Sequence, residues 1–292
     1  MKLASYLYDH ELHVGAVVDN DVINAGEEYS GRHGMLNFLH AGEAGIQELQ
    51  QRIDSNQSSI SLEDVDLQAP ISRPGKVFGV SLNYDDHIAE TGREKPEFPT
   101  FFNKQTSCVI GPEDPIHRPK VSEKLDYEGE LGVVIGKYCR HVSSNDVKKV
   151  IAGYTIVNDV SVRDWQIRSH TWTLGKSFDT HGPTGPWIVT PDEIGDPHNL
   201  SIKTWVNDEE RQNFNTEQMI FNCYYLIEYL SMVMTLEPGD IIATGTGSGV
   251  GVKMKPRGYM HPGDKVSIEI EKIGRLTNPV IQEPKETSFI DV

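Results

Sequence analysis

The chain has 292 residues, with 27 Lys+Arg against 43 Asp+Glu and a formal net charge of −16. That balance excludes the cationic footprint nucleic acids and anionic membranes require, yet allows a small acidic substrate held by local cations or a metal. The three cysteines, Cys108, Cys139 and Cys223, are odd in number and lack C-x-x-C spacing, which excludes a disulfide framework and a thiolate zinc site and suits a reducing compartment.

Residues 3–8 and 12–18 read as short strands, and VVDNDVIN (17–24) supplies turn chemistry for a further reversal. The N-terminus meets Asp9, His10 and Glu11 before any apolar run reaches signal-peptide length, and LGVVIG (131–136) is far short of the ~20 residues of a membrane span, so the expected location is the cytoplasm. The spacing over 35–53 predicts a helix, with Gly42 and Gly45 weighing against it. Polar and proline punctuation at SNQSSIS (55–61) and APISRPGK (69–76) sets an expected boundary: a small strand-rich domain at 1–70, then a larger domain at 71–292. Beyond it, KVFGV, LGVVIG, GYTIVND, GPWIVT, LSIKTWV, DIIATGT and KVSIEIE are short β-branched runs parted by Gly, Pro, Asp or Asn, so an α+β, β-dominated body is expected. Helices are predicted within SSNDVKKVIAG (143–153) and TEQMIFNCYYLIEYLSMVM (216–234).

The polar segment 84–100 carries Gly92, Pro96 and Pro99 and fits either a solvated loop or a lid over a site. Within it His87 and Glu90 stand at i and i+3, where a helical turn would let the carboxylate orient the imidazole as a base. In LDYEGELGVVIG (125–136), strand alternation places Asp126, Glu128 and Glu130 on one face, and Asp159 ends another apolar strand. An all-oxygen set suits Mg²⁺, Mn²⁺ or Ca²⁺ and not zinc; an acidic edge strand fits the pattern equally. The glycine-rich ATGTGSGVG (243–251) matches neither G-x-x-x-x-G-K-[ST] nor G-x-G-x-x-G, and offers close backbone approach with Thr244, Thr246 and Ser248 as donors, or a plain tight turn. HELH (10–13) falls one residue short of H-E-x-x-H. Lys104 and Lys176 are cations near these segments.

Taken in order, SLNYDDHIAE (81–90), PTFFNKQTS (99–107), DYEGELGVVIG (126–136), GYTIVNDVSVRDWQ (153–166), TLGKSFDTHGPTGPW (173–187) and LEPGDIIATGTGSGVG (236–251) resemble the fumarylacetoacetate hydrolase family over about residues 70–280. The resemblance implies a mixed β-roll and one Mg²⁺ or Mn²⁺ per chain on Glu128, Glu130 and Asp159, leaving Asp126 as a neighbour, with no organic cofactor. It implies that His87 and Glu90 form the lid dyad that activates water or moves a proton, and that Lys176 stabilises a developing oxyanion. Lys104, Gln166 and Thr246 are implied as substrate contacts, and Arg163 with Asp164 as structural support. Two positions depart from the family pattern: Leu82 stands where related acylpyruvases often have arginine, and Gly247 stands where proline is usual. The implied activity is metal-dependent hydrolysis of a C–C bond in a 2,4-dioxo acid of the acylpyruvate type through a metal-stabilised pyruvate enolate. The alternatives are an oxaloacetate decarboxylase, an isomerase or lyase on a related 2-oxo acid, and a non-catalytic 2-oxo acid binding protein. A homodimer is also implied, with a small 2-oxo acid as partner and neither nucleic acid nor membrane.

Overall fold

The computed structural model describes residues 1–55 and 59–287, so part of the polar run at 55–61 lies outside the described residues. At the centre of a 12-stranded sheet, Gly129–Ile135 pairs antiparallel with Ile151–Asn158 on one side and with Ile241–Ala243 on the other. Ile241–Ala243 then runs parallel to Val77–Ser81, whose antiparallel neighbour Thr100–Lys104 closes that edge. In the other direction Ile151–Asn158 leads to Gly182–Val189 and on to Lys2–Tyr8, so the N-terminal strands continue the same sheet. A second, five-stranded sheet holds Glu209–Asn215, Ser201–Val206, Lys265–Ile270, Gly274–Gln282 and Ile116–Arg118. The architecture is α+β, dominated by mixed sheets.

The main core lies where the sheets face each other and is made of β-branched side chains: Val133, Ile135 and Ile156 meet Ile202, Ile268 and Ile270. A glycine sets the approach between the sheets. A Cβ at Gly129 would stand 2.4 Å from Thr204 Oγ1, so the strand that follows Glu128 lies directly on the second sheet. Leu226, Ile227 and Leu230 of the helix Cys223–Val233 complete this core. That helix starts later than the predicted 216–234: Thr216–Gln218 is a separate turn, and the Asn222 side chain accepts from Tyr225 N at 2.9 Å to begin the helix.

Two further helix expectations are corrected. The predicted helix over 35–53 is two, Gly34–Ala41 and Glu43–Asp54, broken at Gly42 with φ 58°. The predicted helix over 143–153 is a single 3₁₀ turn, Val147–Val150, because Ile151 already enters the buried strand Ile151–Asn158. A Cβ at Gly153 would lie 2.3 Å from Val189 O, so this glycine serves close strand packing.

Candidate metal centre and active site

The antiparallel register that sets Gly129 opposite Asn158 brings Glu128, Glu130 and Asp159 together at the ends of two central strands. Asp159 N donates to Glu128 O at 2.9 Å, and Glu128 N donates to Asn158 Oδ1 at 3.1 Å, which locks the junction. One carboxylate oxygen from each of the three lies within 4.8 Å of the others, and all three residues are buried. Asp126 does not join them. Its strand, Leu125–Asp126, ends before Gly129–Ile135 begins, which breaks the alternation expected from sequence. Arg163 Nε takes its Oδ2 at 2.7 Å, and the N–H groups of Gly251 and Val252 donate to its carboxylate at 2.8 and 2.9 Å.

Buried carboxylates this close repel unless cations neutralise them. Lys176 Nζ donates to Glu128 Oε2 and Asp159 Oδ2, both at 2.5 Å. Lys104 Nζ donates to Asp159 Oδ1 at 2.7 Å and to the carbonyl of Lys176. Arg163 Nη2 lies 2.8 Å from Glu128 Oε1, an ion pair by distance whose N–H is not aimed along a hydrogen bond. Burial pushes the Glu128 carboxyl up, but Lys176 and Arg163 outweigh it and hold the group well below the usual carboxylate range. Glu130 is different: among the described residues it accepts only from Gly245 N, at 2.7 Å, and burial with the charges of Asp159 and Glu128 drives it well above that range. Three buried oxygen donors, one of them without a cation of its own, fit a hard divalent ion.

Beside the cluster opens a cavity of about 320 Å³, within the size range of small-molecule sites. His87 enters it from the helix Asp85–Thr91, so the i,i+3 pair is realised: Nδ1 lies 3.1 Å from Glu90 Oε2. A carboxylate can only accept, so Nδ1 carries the proton and Nε2 is the basic nitrogen. Glu90 Oε1 accepts from Gly249 N at 3.0 Å, tying the dyad to the glycine-rich loop.

Gln166 and Thr246 line the cavity, as do Glu128, Glu130 and Lys176, whereas Lys104 stands behind Asp159 and is not among the lining residues. Thr246 Oγ1 donates to Gly129 O and accepts from Gln212 Nε2, so most of its hydrogen-bonding capacity serves the loop. Arg163, expected only as support, also lines the cavity. A Cβ at Gly247 would meet the Phe214 ring at 2.3 Å, which accounts for glycine at that departure from the family pattern. Leu82, marked in the sequence as a departure from the family pattern, is a wall residue, as is Trp172, which sequence reasoning missed. Both have left-handed backbone, φ 52° and 60°, a conformation that no residue type announced. Trp172 packs on Phe102, over whose ring Lys176 Nζ lies 5.0 Å from the centroid.

Residues 76–281 match the family described as "Fumarylacetoacetate (FAA) hydrolase C-terminal". The chain is 44% identical over 249 residues to the Xenopus laevis "Oxaloacetate tautomerase fahd2, mitochondrial", covering 85% of this chain and 78% of that one. The solved fumarylacetoacetate hydrolase from psychrophilic Exiguobacterium antarcticum superposes with a TM-score of 0.85 at 34% identity, covering 97% of this chain and 100% of the other. Maleylpyruvate hydrolase from Sphingobium sp. SYK-6, solved with manganese (II) and pyruvate, gives a TM-score of 0.81 at 31% identity with the same coverage.

The cytoplasmic location expected from composition is overturned, because the matching tautomerases from frog, rat, cattle and human are named mitochondrial. Unpaired cysteines separate oxidising from reducing compartments but do not separate one reducing compartment from another. Matched over most of its length in sequence and fold, the chain is an enzyme of the fumarylacetoacetate hydrolase family.

Proposed function

We propose that this enzyme interconverts the enol and keto forms of a small 2-oxo acid of the oxaloacetate type, using a divalent ion held by Glu128, Glu130 and Asp159. The observation that carries the reading is His87, hydrogen-bonded to Glu90 and lining the same cavity as Glu128 and Glu130 of the buried carboxylate cluster. When bound, the ion, Mg²⁺ or Mn²⁺ by its oxygen donors, would act as a Lewis acid on the 2-oxo group.

Moving a proton between carbon and oxygen needs one base able to release what it takes. His87 Nε2 takes the proton from C3 of the keto form and delivers it to the 2-oxygen to give the enol; in the reverse direction it takes the enol O–H proton and returns it to C3, while Glu90 stabilises the imidazolium formed in between. Lys176, held by Glu128 and Asp159, places a fixed ammonium where charge develops on the substrate oxygen. Lys104 keeps Asp159 in place from behind, and Gln166, whose Oε1 accepts from Arg163 Nη1 at 3.1 Å, presents its amide to the substrate. The Xenopus laevis tautomerase supports this reading at higher identity than the solved hydrolases.

Hydrolysis of an acylpyruvate is the second reading, favoured by the same dyad, since a base that takes a carbon-bound proton can also take one from water. The test follows the ultraviolet decay of enol-oxaloacetate, with proton NMR of acetylpyruvate in parallel, both against a metal-only blank. Accelerated decay that Glu90→Gln abolishes supports the tautomerase. Acetate and pyruvate from acetylpyruvate, with oxaloacetate decay at the blank rate, sinks it in favour of the hydrolase.

A further inference from the structure

The cations lining the cavity fall into two layers. The inner ones are engaged: Arg163 with Asp126, Gln166 and Glu128, and Lys176 with Glu128 and Asp159. The outer ones, Arg93, Lys124 and Lys253, are exposed, and among the described residues their side chains have no hydrogen-bond or ion-pair partner. In a chain with 43 acidic against 27 basic residues, the cavity reverses the balance: Arg93, Lys124, Arg163, Lys176 and Lys253 line it against the carboxylates of Glu128, Glu130 and Asp164.

Their backbones are nevertheless held. Lys124 N donates to Ser122 Oγ at 3.1 Å, which donates to Asp164 Oδ1 at 2.6 Å, and Lys124 O accepts from Arg163 N at 3.0 Å. Lys253 ends the turn Gly251–Lys253, whose first two N–H groups are gripped by Asp126. Arg93 follows Gly92, which ends the dyad helix with φ 68° and an N–H to Ile88 O at 2.9 Å. Each cation is thus anchored to a segment that also positions Asp126, Arg163 or His87, with only its side chain left free. Like charges arranged this way repel, and an anion between them relieves the repulsion.

We propose that Arg93, Lys124 and Lys253 form a rim that binds the distal carboxylate of a 2-oxo dicarboxylate, selecting such acids over 2-oxo monocarboxylates. The proposal rests on the reading of this cavity as a 2-oxo acid site. The inner residues take the 2-oxo end, which directs the remainder of the substrate toward the mouth. Neutral substrates gain nothing from the rim.

Isothermal titration of the Mg²⁺-equilibrated protein with 2-oxoglutarate and 2-oxovalerate tests this, because the two acids share five carbons and differ in the distal carboxylate. The wild type is expected to bind 2-oxoglutarate about tenfold or more tightly, as charge-assisted contacts imply. R93Q/K124Q/K253Q should bring the two affinities close to parity, each single variant should lie between, and rising salt should erode the wild-type preference. The substituted side chains are exposed, so an unchanged melting temperature is expected alongside. Absence of 2-oxoglutarate binding, equal affinities in the wild type, or a preference that survives the triple substitution overturns the rim. A preference that disappears in the triple variant, in a protein that leaves enol-oxaloacetate at the blank rate, retains the rim and rejects the tautomerase instead.

Discussion

Asp86 Oδ2 accepts two hydrogen bonds from Ser248, one from the backbone N–H at 3.0 Å and one from the hydroxyl at 2.9 Å. Its other oxygen accepts from His87 N at 2.7 Å. Together with the bond from Gly249 N to Glu90, this fastens the helix that carries the dyad to the glycine-rich loop at two points. The loop that matches no phosphate-binding motif therefore has a definite structural task, holding the base over the cavity.

Replacing Asp86 with Ala should release one of those points without touching the carboxylate cluster. The expected outcome is a kcat lowered by about tenfold to a hundredfold, within the range by which misplaced catalytic groups lose rate. Divalent-ion stoichiometry should stay at the wild-type value. Steady-state kinetics with metal analysis checks this, and a loss of bound metal alongside the loss of rate would count against a positioning role. Ser248→Ala, which removes only the hydroxyl bond, should show a smaller effect in the same direction.

Lys176 bridges two buried carboxylates, and cutting one partner out of a buried ion pair leaves charge without compensation. Lys176→Met should destabilise the metal-free protein by roughly 3–5 kcal/mol. A divalent cation should restore much of the loss, since a ligand that binds only the folded state adds stability by mass action. Thermal melts with EDTA and with Mn²⁺ decide the matter; equal destabilisation in both would mean that the lysine is needed for the cluster whether or not a metal is bound.

Glu130 shows the opposite balance: like charges close by outweigh the charge of Lys176, and among the described residues it has no ion-pair partner. Glu130→Gln removes the repulsion while keeping the size of the side chain, so the EDTA-treated protein should melt at a higher temperature than the wild type. Added Mg²⁺ or Mn²⁺ should then raise the melting temperature far less than it does for the wild type. A full metal-induced rise in the variant would remove Glu130 from the ligand set.

The parts of this site that could be read from the sequence are those in which residue type and spacing suffice. The His87–Glu90 pair needed only one helical turn, and Asp85–Thr91 provides it. The carboxylates were harder: alternation put Asp126 with Glu128 and Glu130, and the interruption after Asp126 depends on pairing with Ser161–Val162, a contact distant in sequence. The false helix at 143–153 has the same origin. Its polar start and glycine end are local helix signals, outweighed by burial of Ile151 and the close packing of Gly153 on Val189. Arg93, Lys124 and Lys253 left no sequence signal, because a solvated lysine or arginine has the same letter wherever the fold places it. The compartment was beyond reach for a related reason, since charge and cysteine count are similar in any reducing space.

His181 lies outside the cavity and should govern acid stability. It is wholly buried, its Nε2 donates to His117 O at 2.8 Å, and its Nδ1 has no partner in the described structure. Burial disfavours the imidazolium more than the His117 carbonyl favours it, and the pKa is pushed down to about 3. In the unfolded chain the same ring titrates near 6.5. Between those values the unfolded chain holds a proton the folded one lacks, so this residue's contribution is intact above pH 6.5 and is lost progressively as pH falls towards 3. The slope is on the order of 1 kcal/mol per pH unit. His181→Gln keeps a donor for the His117 carbonyl and cannot take up a proton, so its unfolding free energy should fall less steeply with acid. Urea unfolding of both proteins at pH 7.5, 6 and 5 measures the difference, and parallel stability curves would show that His181 does not set the acid limit.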